Sequence, residues 1–147
     1  MNSPRAARLA LCFLCFAALT IGLTATVAPR NFYDDFPFLT AWVSLLPPYN
    51  EHLVTDVGGL YLGFAVLLAW AARTLERTLV RAVCVAWLLA ATLHLIFHAG
   101  HLEGFGTADA IAEIAGLAVL LVAPPVALWG TAPVRPSSPA APGSHPG

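Results

Sequence analysis

The chain has 147 residues, of which 59% are hydrophobic and only 10% charged, with a net charge of −1 and a mean hydropathy of +0.76. A soluble domain carries about 25% charged residues, so this composition excludes an ordinary water-soluble fold and makes lipid the solvent for much of the chain. The near-zero charge and the lack of a basic patch exclude nucleic acid as a partner.

All seven basic residues are arginine. With the abundance of Ala, Leu, Gly and Pro, this points to a GC-rich bacterial genome. The first apolar run, 9–27, follows Arg5 and Arg8 and is long enough to cross a bilayer. Basic residues before an apolar core also suit a signal peptide. The run is long for one, and Pro29 directly follows the only small-residue exit, so an uncleaved first span is expected. Cys12, Cys15 and Cys84 all fall in expected spans. Cys12 and Cys15 have C-x-x-C spacing without a surrounding βαβ pattern, so all three read as small buried hydrophobes.

The connection 29–50 is rich in aromatics and acids, including Tyr33, Asp34, Asp35, Phe36, Trp42 and Tyr49. That mixture suggests an interfacial belt. A short helix over 38–46 is expected to lie on the membrane surface, with Asp35 as its N-cap and Pro37 in its first turn. The second span, 53–72, starts after Asn50, and its Gly59 and Gly63 suggest a small-residue packing face. A basic loop carries Arg73, Arg77 and Arg81; it reads as a topology signal and a contact for anionic lipid. The third span is expected at 82–98 and the fourth at 108–129, with Asp109 in the first turn and Pro124 and Pro125 disturbing its far end. Residues 131–147, dominated by Pro, Ser, Gly and Ala, are expected to form a disordered tail.

The expected fold is therefore all-α: an integral membrane four-helix bundle over residues 1–130, with a short interfacial helix in its first outer loop. With four spans, Arg30 alone among the arginines falls on the outer side. The positive-inside rule then places both termini in the cytoplasm of a multi-pass cell-membrane protein.

This orientation gathers the polar residues at the outer end. His52 and Asp56 open the second span, His94, His98 and His101 close the third, and Asp109 and Glu113 open the fourth. The spacings 52/56, 94/98 and 109/113 are each one helical turn, so three helices each present a polar pair on one face. An ionisable group at such depth is expensive, so Asp56, Glu113 and His94 are expected to face inward and pair. Imidazole with carboxylate suits a transition metal, and bis-histidine ligation across helices suits haem. The candidate metal ligands are His94, His98, His52, Asp56 and Glu113, with His101 as an access ligand nearer the surface. Three other readings stand beside this one. The groups can be interhelical pairs, such as His94–Glu113 and His98–Asp56, that only fix helix register. They can serve a small membrane enzyme acting on a lipophilic or quinone-like substrate. They can form a proton relay in a transporter. Expected partners are the lipid bilayer and a second copy of the chain or another membrane subunit.

The stretches Tyr33-Asp34-Asp35-Phe36-Pro37 and Pro48 to Tyr61, with the run from His94 to His101, resemble the small, four-span, uncharacterised membrane proteins of actinobacteria. Size and span count also resemble DoxX-like proteins, though no functional motif of that family can be matched. The resemblance implies a four-helix membrane bundle and brings no activity, cofactor or catalytic residue with it.

Overall fold

A computed structural model describes residues 3–131 apart from Phe38 and Pro47. These residues form five α-helices, α1 (Pro4–Val27), α2 (Pro29–Asp35), α3 (Glu51–Thr74), α4 (Arg77–Ala99) and α5 (Thr107–Gly130), with a 3-10 turn at Val43–Leu45. The expected tail falls, apart from Thr131, outside the described residues.

The four long helices have 23 or 24 residues and are apolar enough to cross a membrane. At 1.5 Å per residue they run about 35 Å, against a hydrocarbon core of about 30 Å. Only 17–33% of the most apolar window of each is buried inside the bundle. The remainder, including Leu9, Phe16, Leu60, Leu89, Ile96 and Ile111, turns outward. A bundle with so much apolar surface outside and a small core inside is compatible with lipid and not with water.

Local signals set the helix ends. Ser3 caps α1 by accepting from the Ala6 amide, and Pro4 occupies its first turn. Asn50 caps α3 by accepting from Leu53. Leu75 ends α3 in the left-handed region at φ 52°. Glu76 follows at once and caps α4, its carboxylate accepting from Thr78 and Leu79 at 2.8 and 2.7 Å. Those bonds hold its pKa below the ordinary carboxylate value.

The helices form a closed ring in the order α3, α1, α5, α4. The α1–α3 seam is the most extensive and the α3–α4 seam the thinnest. The core runs through Leu11, Leu14, Leu68, Val80, Cys84 and Ala127. Arg8 donates from Nε to the Ala72 carbonyl at 2.9 Å, which ties the start of α1 to the end of α3. Gly130 lies against Ser3 and Ala7, which brings the end of α5 to the same place. The arginine-rich ends thus meet at one end of the bundle, as four alternating spans require.

Two expectations are corrected. The glycines at the tight crossing are Gly22 and Gly58, not Gly59 and Gly63. A Cβ on Gly58 would stand 2.9 Å from the Thr26 amide nitrogen and 3.1 Å from the Ala25 carbonyl carbon, whereas Gly59 and Gly63 have nothing within 4 Å. The buried stripe of α3 runs through Gly58, Ala65, Leu68 and Ala72, which turns Gly59 and Gly63 away from α1. The short helix between the first two spans is α2, begun by Pro29, rather than 38–46; among the described residues of that stretch only the turn Val43–Leu45 is helical. Proline pre-sets φ for a first helical position and so starts helices as readily as it stops them.

Candidate binding cleft and the buried histidine–glutamate pair

The buried stripe of α4 runs Val80, Val83, Cys84, Trp87 and His98. His98 stands eleven residues beyond Trp87, three turns along and on nearly the same face. It meets α5 at Glu113. Nδ1 lies 2.5 Å from Oε1, with the two side chains 10% and 4% exposed. The approach lies off the hydrogen-bonding direction of Nδ1, which has no hydrogen-bond partner, and neither does the second carboxylate oxygen, Oε2. An imidazole facing a carboxyl lowers the cost of burying either group, because each can offset a charge on the other.

His94 lies one turn before His98 on the same stripe. The two rings are 4.4 Å apart between centroids. Unlike His98, His94 is exposed, because the α3–α4 seam opens beside it into a cavity of about 270 Å³. The walls include Tyr61 and Phe64 from α3, Trp87 and Ala91 from α4, and Leu117 and Leu120 from α5. Tyr61 and Phe64 meet Trp87 edge-on, with centroids 6.0 and 5.5 Å away. Trp87 itself donates from Nε1 to the Leu120 carbonyl at 3.2 Å. That carbonyl lies four residues before Pro124, which has no N–H to give it. The tryptophan therefore supplies the donor that the proline withholds, and it fixes the cavity wall to α5.

The other sequence candidates lie apart from this pair. His52 and Asp56 face each other at 3.3 Å along α3, with side chains 87% and 58% exposed. Asp56 does not turn inward. It is two residues from Gly58, about 200° around the helix, so packing of Gly58 on α1 carries it to the opposite face. His101 stacks on Phe97 at 4.1 Å and donates from Nδ1 to the Phe97 carbonyl at 2.7 Å, covering the end of α4. The expected pairings His94–Glu113 and His98–Asp56 are thus replaced by His98–Glu113 and His52–Asp56. Among the described residues, no three His, Cys, Asp or Glu side chains stand together as a set able to hold a metal ion.

The connection between α1 and α3 is tied down around the site. Arg30 binds Asp34 at 2.6 Å and lies 5.0 Å from the Tyr49 ring centroid. The Asp34 bond raises the arginine's pKa further. Trp42 donates to Asp109 at 3.3 Å, linking this connection to the first turn of α5. Sequence reasoning missed the cavity residues Tyr61, Phe64, Trp87 and Leu120. The available signal was three aromatics near the middle of consecutive spans, with a proline four residues after Leu120.

No protein-family model matches the chain, and no curated protein or solved structure shows detectable similarity to it.

Proposed function

We propose that the chain is a multi-pass membrane protein that binds a small lipophilic molecule with a polar, ring-sized head group, quinone-like in character. The ligand would enter from the bilayer through the α3–α4 seam. The observation that carries this reading is the apolar cavity of about 270 Å³ with the His94 imidazole in its lining. Mostly apolar walls with a few placed polar groups are the ordinary make-up of a small-molecule site, and the volume lies near the lower end of the usual range. His94 offers a donor or acceptor to a ligand carbonyl or hydroxyl. The His98–Glu113 pair holds α4 in place one turn beyond it. The distribution of arginines supports an orientation with both chain ends in the cytoplasm.

The test uses the full chain in mild detergent, titrated with a benzoquinone bearing one short isoprenoid tail. Trp87 lines the cavity, so binding should quench indole fluorescence saturably. The quenching should disappear in Trp87→Phe and in Ala91→Phe, which fills the cavity. His94→Leu should weaken binding by about tenfold, the worth of one hydrogen bond. Quenching that does not saturate, or that persists unchanged in Ala91→Phe, overturns the reading.

A further inference from the structure

At the end of the bundle away from the histidines, Arg8 and Arg73 flank a groove of about 670 Å³ between α1 and α3. Below the two guanidiniums the lining is apolar and includes Cys12, Phe16, Leu19 and Ala69. Phe16 is 70% exposed and Leu19 40% exposed, so the trough faces the surroundings of the bundle rather than its core. From Arg8 to Leu19 it follows α1 for about 16 Å, roughly the reach of one acyl chain within a leaflet.

The rim is held in place. The last four carbonyls of a helix lack partners in their own ladder. In α3, Ala71 is answered by the Leu75 amide and Ala72 by Nε of Arg8. That bond anchors the Arg8 side chain and leaves its two terminal NH2 groups available. Neither Arg8 nor Arg73 is paired with a carboxylate among the described residues. The neighbouring acid, Glu76, is engaged with the amides of Thr78 and Leu79.

We infer that this groove is a binding site for one anionic glycerophospholipid. Its phosphate lies between Arg8 and Arg73, and one acyl chain lies along Phe16, Leu19 and Ala69. Charge complementarity selects this occupant: two unpaired guanidiniums stand above an apolar trough, and arginine pairs phosphate well. A second copy of the chain would bring the same uncompensated arginines to this end and be repelled.

The experiment is native mass spectrometry on the delipidated full chain, titrated with phosphatidylglycerol or phosphatidylcholine of identical acyl chains. The phosphatidylglycerol adduct should form at about 25-fold lower lipid concentration, about fivefold for each arginine. Arg73→Gln should lose about fivefold of that preference. It leaves the Arg8–Ala72 bond untouched, so the bundle remains intact. Ala69→Trp, at an exposed position in the trough, should abolish the adduct with both arginines present. Arg77→Gln and Arg81→Gln should change nothing. Equal binding of the two lipids overturns the proposal. So does loss of preference in Arg77→Gln to the same extent as in Arg73→Gln, which would mean diffuse attraction. Displacement by glycerol phosphate at equal concentration also overturns it, since the head group alone would then account for binding.

Discussion

Replacing Gly58 with alanine adds one methyl group where α3 crosses α1. A Cβ there meets the Thr26 hydroxyl, the Thr26 amide nitrogen at 2.9 Å and the Ala25 carbonyl carbon at 3.1 Å. Two of these three neighbours are backbone and cannot rotate away, so the helices must separate. Overpacking of this kind costs about 1–3 kcal/mol, and the better helix propensity of alanine returns at most about 1 kcal/mol. Gly59→Ala and Gly63→Ala add the same methyl group to open space and should be neutral or slightly stabilising. Gly22→Ala falls between them, because two of its three close neighbours are Leu62 side-chain atoms that can turn aside. Unfolding of the four variants in mixed dodecylmaltoside and dodecyl sulfate micelles, followed by circular dichroism, provides the comparison. If Gly58→Ala unfolds at the same dodecyl sulfate fraction as Gly63→Ala, the packing of α1 on α3 described here is wrong.

In Trp87→Phe, stranding the Leu120 carbonyl should cost about 1 kcal/mol beyond the packing lost with the smaller ring. In a Pro124→Ala background, where residue 124 regains its amide, the effect of Trp87→Phe should shrink by that amount, leaving the packing loss of the smaller ring; additive effects in the same unfolding assay would rule out the coupling. Removing either partner of the buried pair, by His98→Leu or Glu113→Leu, should destabilise the bundle by about 1–2 kcal/mol. The double replacement should be milder than the sum of the two, and strict additivity would show that the two side chains do not meet. Glu76 has a folded pKa below its ordinary value of 4.5, so its contribution to stability is fully present above that value and fades as pH falls through the lower, folded one. Stability measured from neutral to acidic pH should therefore drop more in the parent chain than in Glu76→Gln, and parallel curves would count against the cap.

The number of spans and their order were legible because they depend on the length of apolar runs and the placement of arginines. Rotation of each helix about its axis was not. A span that is apolar on every side has no polar face to mark its outside, and at most a third of each window is buried here. Spacing alone therefore points to Gly59 and Gly63 as the packing face, and to Asp56 as an inward group, when Gly58 packs on α1 and Asp56 lies on the opposite face of α3. The histidine stripe was readable for another reason. His98 shares a face with Trp87 by spacing alone, whatever surrounds them. Which acid meets His98 depends on the neighbour of α4, and that neighbour is set by the ring order of the bundle. The short helix was not legible because the signals at Asp35 and Pro37 suit a helix start as well as Pro29 does, and Pro29 is the one that stands at the first position of a helix, α2.

The ring order also explains why a cleft opens where it does. Both polar anchors of α4, Trp87 to Leu120 and His98 to Glu113, reach α5. The contact with α3 is apolar and includes the edge-on aromatic rings of Tyr61, Phe64 and Trp87, beside the tight turn at Leu75 and Glu76. Helix α4 is thus hung from α5 at two points about 16 Å apart, and the seam with α3 is left thin between them. His94 falls within that interval. Its ring rests on the His98 ring one turn on, 4.4 Å away between centroids, and lines a cavity whose opposite wall is α3. Trp87, bonded to the Leu120 carbonyl and packed edge-on against Tyr61 and Phe64, joins the α5 side of this cavity to its α3 side.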